Sequence, residues 1–203
     1  MINGARGEIE EFATNKFKLN KIDIANFISY SLERENLMTL LSFVNTSLTL
    51  RFSILVDLFV ADFPNREQRF EVVYSLLSLK LNQRLILKIF VNEDDLVPSI
   101  SSIFDNSCWY EREAFDMFGI KFDDCPDMRR ILTDYGFVGH PLRKDFPLTG
   151  HLEVEYNKDT AKVAYQPIEL EQEFRMFDFV SSWQGPPSSK PNIVLPGDEK
   201  AIK

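Results

Sequence analysis

The sequence is poor in the residues that hold metals, clusters and covalent cross-links. Its 203 residues include two cysteines, Cys108 and Cys125, and two histidines, His140 and His151. Two cysteines are too few for a disulfide framework, a structural zinc site or an iron–sulfur cluster held by this chain alone. We therefore expect a reducing compartment, and whether the two cysteines join in a disulfide stays open.

Long apolar runs and an excess of positive charge are also missing. No window of about 20 consecutive apolar residues occurs, so we expect no membrane span. The formal net charge is −8, which argues against nucleic acid or anionic lipid as a partner, because both bind basic surfaces. Residues 1–14 contain three glutamates, so we expect neither a secretory signal nor an Arg-rich transit peptide there.

The spacing of apolar residues predicts an α+β fold. Alternation with a period of two predicts strands over 22–32, 69–80 and 85–91, the last two forming a hairpin. The compact apolar run at 52–59 favours a strand over a helix because of its length. Helical spacing predicts a helix over 33–45. A short helix is expected over 97–104, with Pro98 in its first turn. A further helix is predicted over 108–118, with an N-cap at Ser107 and its end at Gly119. Together these elements predict a two-layer domain, with a small, largely antiparallel sheet and helices on one face.

Beyond residue 122 the periodicity is lost, although apolar residues continue. Such a segment is expected to be buried against something else, such as another protein. We therefore predict three parts: an α+β globular domain over 1–122, a long extended partner-docking arm over 123–185, and a flexible C-terminus over 186–203.

Polar residues crowd the helix predicted at 108–118. Glu113 shares a face with Asp116, and so does Arg112, while Glu111 lies elsewhere. One interpretation is a carboxylate site for a metal or an acid/base pair. The favoured alternative is that the acids interact with the helix dipole, that Arg112 and Asp116 form a local ion pair, or that the residues meet an interface.

Two basic pairs, Arg129-Arg130 and Arg143-Lys144, interrupt the acidic chain. Arginine suits interface ion pairs, because its guanidinium binds carboxylates in a bidentate way. Their apolar setting favours such a role over a solvated surface, and we expect Arg129 and Arg130 to have buried carboxylate partners. The residues Cys125, Asp127 and His140 could form a metal or Cys–His site, but nothing in their spacing requires it.

The segment 111–150 carries the clearest signal. It reads EREAFDMFGIKFDDCPDMRRIL and then TDYGFVGHPLRKDFPLTG, and it resembles the 30-kDa subunit family of NADH:ubiquinone oxidoreductase, which is respiratory complex I. The stretches RFEVVYSLLSL at 69–79 and VAYQPIELEQEFRMFDFVSSW at 163–183 look like the same family. One departure is Cys125, which stands where the family usually has histidine or lysine.

The resemblance implies a non-catalytic core scaffold subunit in the peripheral arm of the proton-pumping complex. Such a subunit docks on the 49-kDa-type subunit near the quinone-reducing module and supports electron transfer from NADH to ubiquinone. It holds no cofactor itself, while the complex as a whole holds FMN, iron–sulfur clusters and ubiquinone. The implied signature and partner-docking residues are Glu111, Arg112, Glu113, Asp116, Arg129, Arg130, His140, Arg143, Lys144 and Asp145.

The resemblance also implies a location. We expect a peripheral position on the matrix side of the mitochondrial inner membrane, with the cytoplasmic side of a bacterial membrane as the alternative. A hypothesis from another class is a free-standing metal-dependent hydrolase that uses Glu113, Asp116 and His140. The motifs G-x-x-x-x-G-K-[ST], G-x-G-x-x-G and G-x-S-x-G are missing, so phosphate-cradle and nucleophile-elbow chemistries have no support.

Overall fold

A computed structural model of the chain describes residues 2–14, 16–24, 27–170, 172 and 175. Residues up to His151 form one compact unit, and those from Leu152 form a second. The elements in chain order are α1 Ile2–Thr14, β1 Asn20–Lys21, β2 Ile28–Ser31, a 3-10 helix Arg34–Asn36, α2 Leu37–Thr46, β3 Ile54–Asp62, β4 Phe70–Ser78, β5 Gln83–Val91, β6 Leu96–Pro98, α3 Ser107–Phe118, β7 Lys121–Asp123, β8 Leu152–Asn157 and β9 Lys162–Pro167.

The first unit is built on a five-stranded sheet in the order β1-β2-β5-β4-β3. Strands β3, β4 and β5 are antiparallel neighbours, as are β1 and β2, whereas β2 runs parallel to β5. The chain leaves β2 through α2 rather than through a hairpin, so β2 is free to lie parallel to its neighbour. The α+β fold class is confirmed, and the sheet is mixed rather than purely antiparallel.

One face of this sheet carries the core. Tyr74 of β4 and its register partner Leu87 of β5 are fully buried, whereas their neighbours Ser75 and Ile86, which point to the other face, are only partly buried. Helix α2 contributes Leu37, Leu40, Leu41 and Val44 to the core. This i, i+3, i+4, i+7 set is the apolar stripe that the sequence predicts.

Several predicted elements are confirmed with shifted ends. The hairpin over 69–80 and 85–91 is the β4–β5 pair, and Asn82 in its turn has a left-handed φ of 49°. The helix over 33–45 begins as the 3-10 helix and continues as α2. The strand over 22–32 is shorter, because only Ile28–Ser31 of it lies in β2.

The helix predicted over 97–104 is wrong. Leu96–Pro98 is strand β6, which pairs in parallel with β7, and a single turn follows, in which Phe104 N donates to Ile100 O at 3.0 Å. The reason is a tertiary contact, since Ile100 N donates instead to the Glu111 carboxylate. Another correction is that the N-cap of α3 is Asn106, while Ser107 is its first residue.

Helix α1, strands β1 and β7 and the β8–β9 hairpin are not predicted from the sequence. Helix α1 buries Ile9 and Ala13, and the ring of Phe12 stacks on Phe43 of α2 at 3.7 Å. The second unit contains the antiparallel β8–β9 hairpin. The sequence could have predicted strand β8, because apolar residues alternate with glutamates along LEVEYN.

Residues 124–151 contain no helix or strand and belong to the first compact unit. We call them the irregular segment below. The predicted division of the chain into 1–122, 123–185 and 186–203 stays a prediction, and its last part lies outside the described residues.

Candidate functional site

Glu111 joins helix α3 to the end of strand β6. Its side chain is fully buried. One carboxylate oxygen accepts a hydrogen bond from Ser99 Oγ at 2.7 Å and the other accepts one from Ile100 N at 2.9 Å. Glu111 is the fifth residue of α3, beyond the first turn where the helix dipole favours acids. Glu111 therefore links helix α3 to the residues that follow strand β6 through buried hydrogen bonds.

Arg112 holds the backbone of the irregular segment. Its Nε donates to Arg129 O at 2.9 Å and its Nη2 to Arg130 O at 3.3 Å. The same guanidinium lies 3.5 Å from the Asp127 carboxylate and 5.3 Å from the centre of the Trp109 ring. One side chain of α3 thus fixes the chain between residues 127 and 130.

Asp116 binds the backbone of residues 131–133, the next part of the irregular segment. Its Oδ2 accepts three consecutive backbone N–H groups, from Ile131 at 3.0 Å, Leu132 at 2.7 Å and Thr133 at 2.9 Å. Its Oδ1 accepts from Arg130 Nη1 at 2.9 Å and from Thr133 Oγ1 at 2.5 Å. Successive N–H groups that converge on one anion form a backbone nest.

These donors decide the charge of Asp116. Burial removes the carboxylate from water and by itself raises the pKa, but the hydrogen bonds from the Thr133 hydroxyl and from the backbone of 131–133 outweigh it. The pKa of Asp116 is lowered to about 2. Asp116 is therefore an ionised internal ligand of the protein's own backbone at neutral pH.

The predicted Arg112–Asp116 ion pair is wrong, because Arg112 binds the backbone and Asp116 pairs with Arg130. The metal or acid/base interpretation also finds no assembled site. Glu113 is exposed, Asp116 is saturated with donors, and His140 Nδ1 faces a backbone carbonyl. Among the described residues, no three His, Cys, Asp or Glu side chains are grouped so that they could hold a metal.

The C-terminal end of α3 is capped by residues 140–143. A helix end leaves its last carbonyls without partners inside the helix. Three donors reach them: His140 Nδ1 is 3.0 Å from Asp116 O, Leu142 N is 3.1 Å from Met117 O, and Arg143 Nε is 2.6 Å from Phe118 O. Burial lowers the pKa of His140, which keeps the ring neutral with its proton on the donating Nδ1. The positive charge of Arg143 suits the negative end of the helix dipole.

Gly119 makes this cap possible. Its φ is +78°, in the left-handed region that favours glycine. A Cβ at this position would lie 2.4 Å from Arg143 Nη2 and 2.6 Å from His140 Nε2. Glycine is thus required both by the backbone turn and by the close approach of the capping side chains.

Next to the capping residues, the irregular segment also contacts the turn end of the β3–β4 hairpin. Lys144 N donates to Asp62 Oδ2 at 2.7 Å, while Arg69 binds Asp62 at 2.7 Å and Asp145 at 2.9 Å. The hydrogen bonds from Arg69 lower the pKa of the buried Asp62. The Lys144 side chain itself is exposed, so this residue contributes through its backbone.

Arg129 departs from its expected role. Its side chain is 75% exposed and pairs with Asp127, whose side chain is 32% exposed, so the prediction of a buried carboxylate partner is wrong for Arg129 and correct for Arg130. The two neighbouring arginines therefore differ, because Arg130 pairs with the fully buried Asp116 whereas Arg129 faces solvent.

The irregular segment also exposes large apolar side chains. Five of them, at exposed fractions from 50% to 92%, are Leu132, Tyr135, Val138, Leu142 and Leu148. Single exposed apolar residues are ordinary. Five lie within 17 residues, on a backbone held by the contacts above, so the irregular segment is a candidate binding surface.

The family follows from a comparison with known sequences. The model of the family described as "Respiratory-chain NADH dehydrogenase, 30 Kd subunit" matches residues 30–152, which is more than half of the chain. The chain belongs to this family. The match includes strands β3, β4 and β5, helix α3 and the whole irregular segment.

Relatives agree with this assignment. The chain is 51% identical over 189 residues to the C-type subunit of the NADH-quinone oxidoreductase of Rickettsia felis, covering 93% of this chain and 89% of that protein. For the corresponding protein of Rickettsia bellii the identity is 52% over 189 residues, covering 93% and 94%. For that of Paramagnetospirillum magneticum it is 48% over 174 residues, covering 86% and 84%.

A solved structure gives support at the level of the fold. A chain of the membrane-bound sulfane sulfur reductase, an archaeal respiratory membrane complex, is 24% identical, with a TM-score of 0.59 over 70% of this chain and 83% of that one. The family match and these relatives agree, because the relatives are named as the C subunit of NADH-quinone oxidoreductase. In the part of the chain that the structure describes, no helix is long and apolar enough to cross a membrane.

Proposed function

We propose that this chain is a non-catalytic scaffold of the peripheral arm of complex I and docks on the 49-kDa-type subunit near the quinone-reducing module. The observation that carries the proposal is the irregular segment, whose backbone is fixed on α3 while five large apolar side chains stay exposed. The family membership supplies the kind of assembly in which those side chains find a partner.

Fixing the segment before docking favours tight assembly. A loop that becomes ordered on binding loses conformational entropy, and this loss weakens the interaction. Here Arg112, Asp116 and Arg143 hold the backbone at three places within the free chain. The apolar side chains are therefore presented on a pre-organised backbone, so their burial is not offset by the cost of ordering that backbone.

The redox chemistry of the complex belongs, in this proposal, to other subunits. FMN, the iron–sulfur clusters and ubiquinone are held there, and this chain supports electron transfer from NADH to ubiquinone by keeping the quinone module in place. The carboxylates that looked most suited to chemistry support this role, because Glu111 and Asp116 are both bound by protein donors. Proton translocation is likewise a property of the assembly.

The relatives bear on the location. Those compared are bacterial, and they favour the alternative of the cytoplasmic side of a bacterial-type membrane over the mitochondrial inner membrane. A peripheral position, reached through other subunits, fits both this location and the described helices.

Native purification tests the docking role. A tagged full chain is isolated from its own membranes under native conditions, and the co-purifying chains are identified by mass spectrometry. We expect the 49-kDa-type subunit among them. A triple variant, Tyr135→Ser, Val138→Ser and Leu148→Ser, should lose the 49-kDa-type subunit, because it removes three of the five exposed apolar side chains. The fold should be retained, because these side chains are 82% to 92% exposed and contribute little to it.

The matched control is Leu79→Ser, in the turn between β4 and β5, whose side chain is 71% exposed. This variant should retain the partner. Equal recovery of the 49-kDa-type subunit with the triple variant and with the control would contradict docking through the irregular segment.

A further inference from the structure

Two thiols face each other where the irregular segment begins. Cys108 lies in the first turn of α3, and Cys125 lies two residues after β7. Their Sγ atoms are 3.9 Å apart, with Cys125 donating to Cys108. Both are free and both are partly exposed. A disulfide needs about 2.05 Å between the sulfurs, so the pair is roughly 1.9 Å from bonding distance.

The surroundings give the two thiols different roles. Cys125 Sγ also lies 3.4 Å from Asp127 O. Burial, together with the nearby Glu111 carboxylate, raises the pKa of Cys125 to about 12. Cys125 is therefore almost entirely a protonated thiol at neutral pH, and the reaction of the pair begins at Cys108, because the thiolate is the nucleophile.

We propose that Cys108 and Cys125 form a reversible redox pair, which a low-molecular-weight disulfide oxidises to an internal disulfide that joins α3 to the start of the irregular segment. The Cys108 thiolate attacks the small disulfide, forming a mixed disulfide and releasing one small thiolate. Cys125 then loses its proton and attacks Cys108 Sγ, which releases the second small thiolate. The net reaction oxidises two protein thiols and reduces one small disulfide to two thiols, which take up the two protons.

The position of the pair gives the disulfide a consequence. Cys125 lies just before the stretch that Arg112 holds through Asp127 and the backbone of residues 129 and 130. A covalent bond at residue 125 adds a tie to α3 at this end of the segment. Oxidation should therefore suppress local opening of the chain around Arg129 and Arg130.

The test uses the full chain equilibrated with glutathione disulfide and reduced glutathione at graded ratios. Remaining thiols are alkylated, and peptides are analysed by mass spectrometry without reduction. We expect a linked peptide pair containing Cys108 and Cys125, which disappears when reduced glutathione is in excess. Separate glutathione adducts on the two cysteines, or two alkylated cysteines under the most oxidising ratio, would overturn the proposal.

The variants Cys108→Ser and Cys125→Ser are the controls. Each can form only a mixed or intermolecular disulfide, so the internal linked pair should be missing from both. The second readout is the rate of trypsin cleavage after Arg129 and Arg130, which should fall about tenfold on oxidation of the original chain and stay unchanged in Cys108→Ser. If oxidation left the trypsin cleavage rate of the original chain unchanged, the proposed effect of the disulfide on the irregular segment would be refuted. Both readouts use the isolated chain, so they do not depend on the proposed docking.

Discussion

The carboxylate of Asp116 and the guanidinium of Arg130 meet at 2.9 Å, although the residues are 14 positions apart. Arg130 also donates to Thr133 Oγ1 at 3.0 Å and, through both terminal nitrogens, to Gly139 O at 3.1 Å. The pair therefore closes the loop between residues 130 and 139 onto α3. A segment without helix or strand gains a defined conformation from one buried anion and one arginine.

Removal of that arginine should destabilise the chain strongly. Arg130→Ala leaves the buried Asp116 carboxylate without its positive partner, and breaking such a pair costs about 3 kcal/mol or more. Arg129→Ala is the matched control, because this neighbouring arginine is 75% exposed, and we expect a change within about 0.5 kcal/mol. Urea unfolding of the full chain measures both. Similar losses in the two variants would mean that the Asp116–Arg130 pair does not organise the segment.

Gly119→Ala should detach the cap of α3. The left-handed φ costs about 1–2 kcal/mol for alanine, and the added Cβ collides with the side chains of Arg143 and His140. We expect a total loss above about 2 kcal/mol in the free energy of unfolding. Gly136→Ala is the control, since a Cβ there meets nothing within 4 Å, and it should be neutral or slightly stabilising. If the two alanine variants unfolded at the same urea concentration, the capping role would be refuted.

The stability of the chain should fall in acid through Asp116. Its pKa is lowered from 3.8 to about 2 in the folded protein, so its ionised form contributes stability above about pH 4, and this contribution is lost as the pH falls towards 2. The shift corresponds to about 2 kcal/mol. Urea unfolding at several acid pH values should therefore show a steeper fall for the original chain than for Asp116→Asn. Parallel curves would contradict an ionised Asp116 in the nest.

The parts of the fold with local patterns could be predicted from the sequence. The end of α3 at Gly119 and the β4–β5 hairpin follow from turn residues and from periodicity within the element itself. The 30-kDa family was also recognisable from the continuous segment 111–150. The helix predicted over 97–104 failed, because the side chain of Glu111 binds Ile100 N from a different element.

The sequence identifies which residues belong to the candidate site but not which of them contact each other. Signature residues such as Asp116 and Arg130 stand out as polar groups, but nothing local pairs them, since a nest of N–H groups depends on backbone conformation. Adjacent arginines likewise look equivalent in sequence, although Arg130 is partly buried against Asp116 and Arg129 faces solvent. The interpretation of Glu113 and Asp116 as a joint carboxylate site failed for the same reason.

Photo-crosslinking from Tyr135 tests the docking role most directly. This side chain is 92% exposed in the irregular segment, and benzoylphenylalanine in its place probes whatever covers it in the assembled complex. We predict a crosslink to the 49-kDa-type subunit, and none to that subunit from the same probe at Leu79 on the β4–β5 turn. A probe at Tyr135 that labels no other subunit, in a complex that is fully assembled and active, would contradict the account.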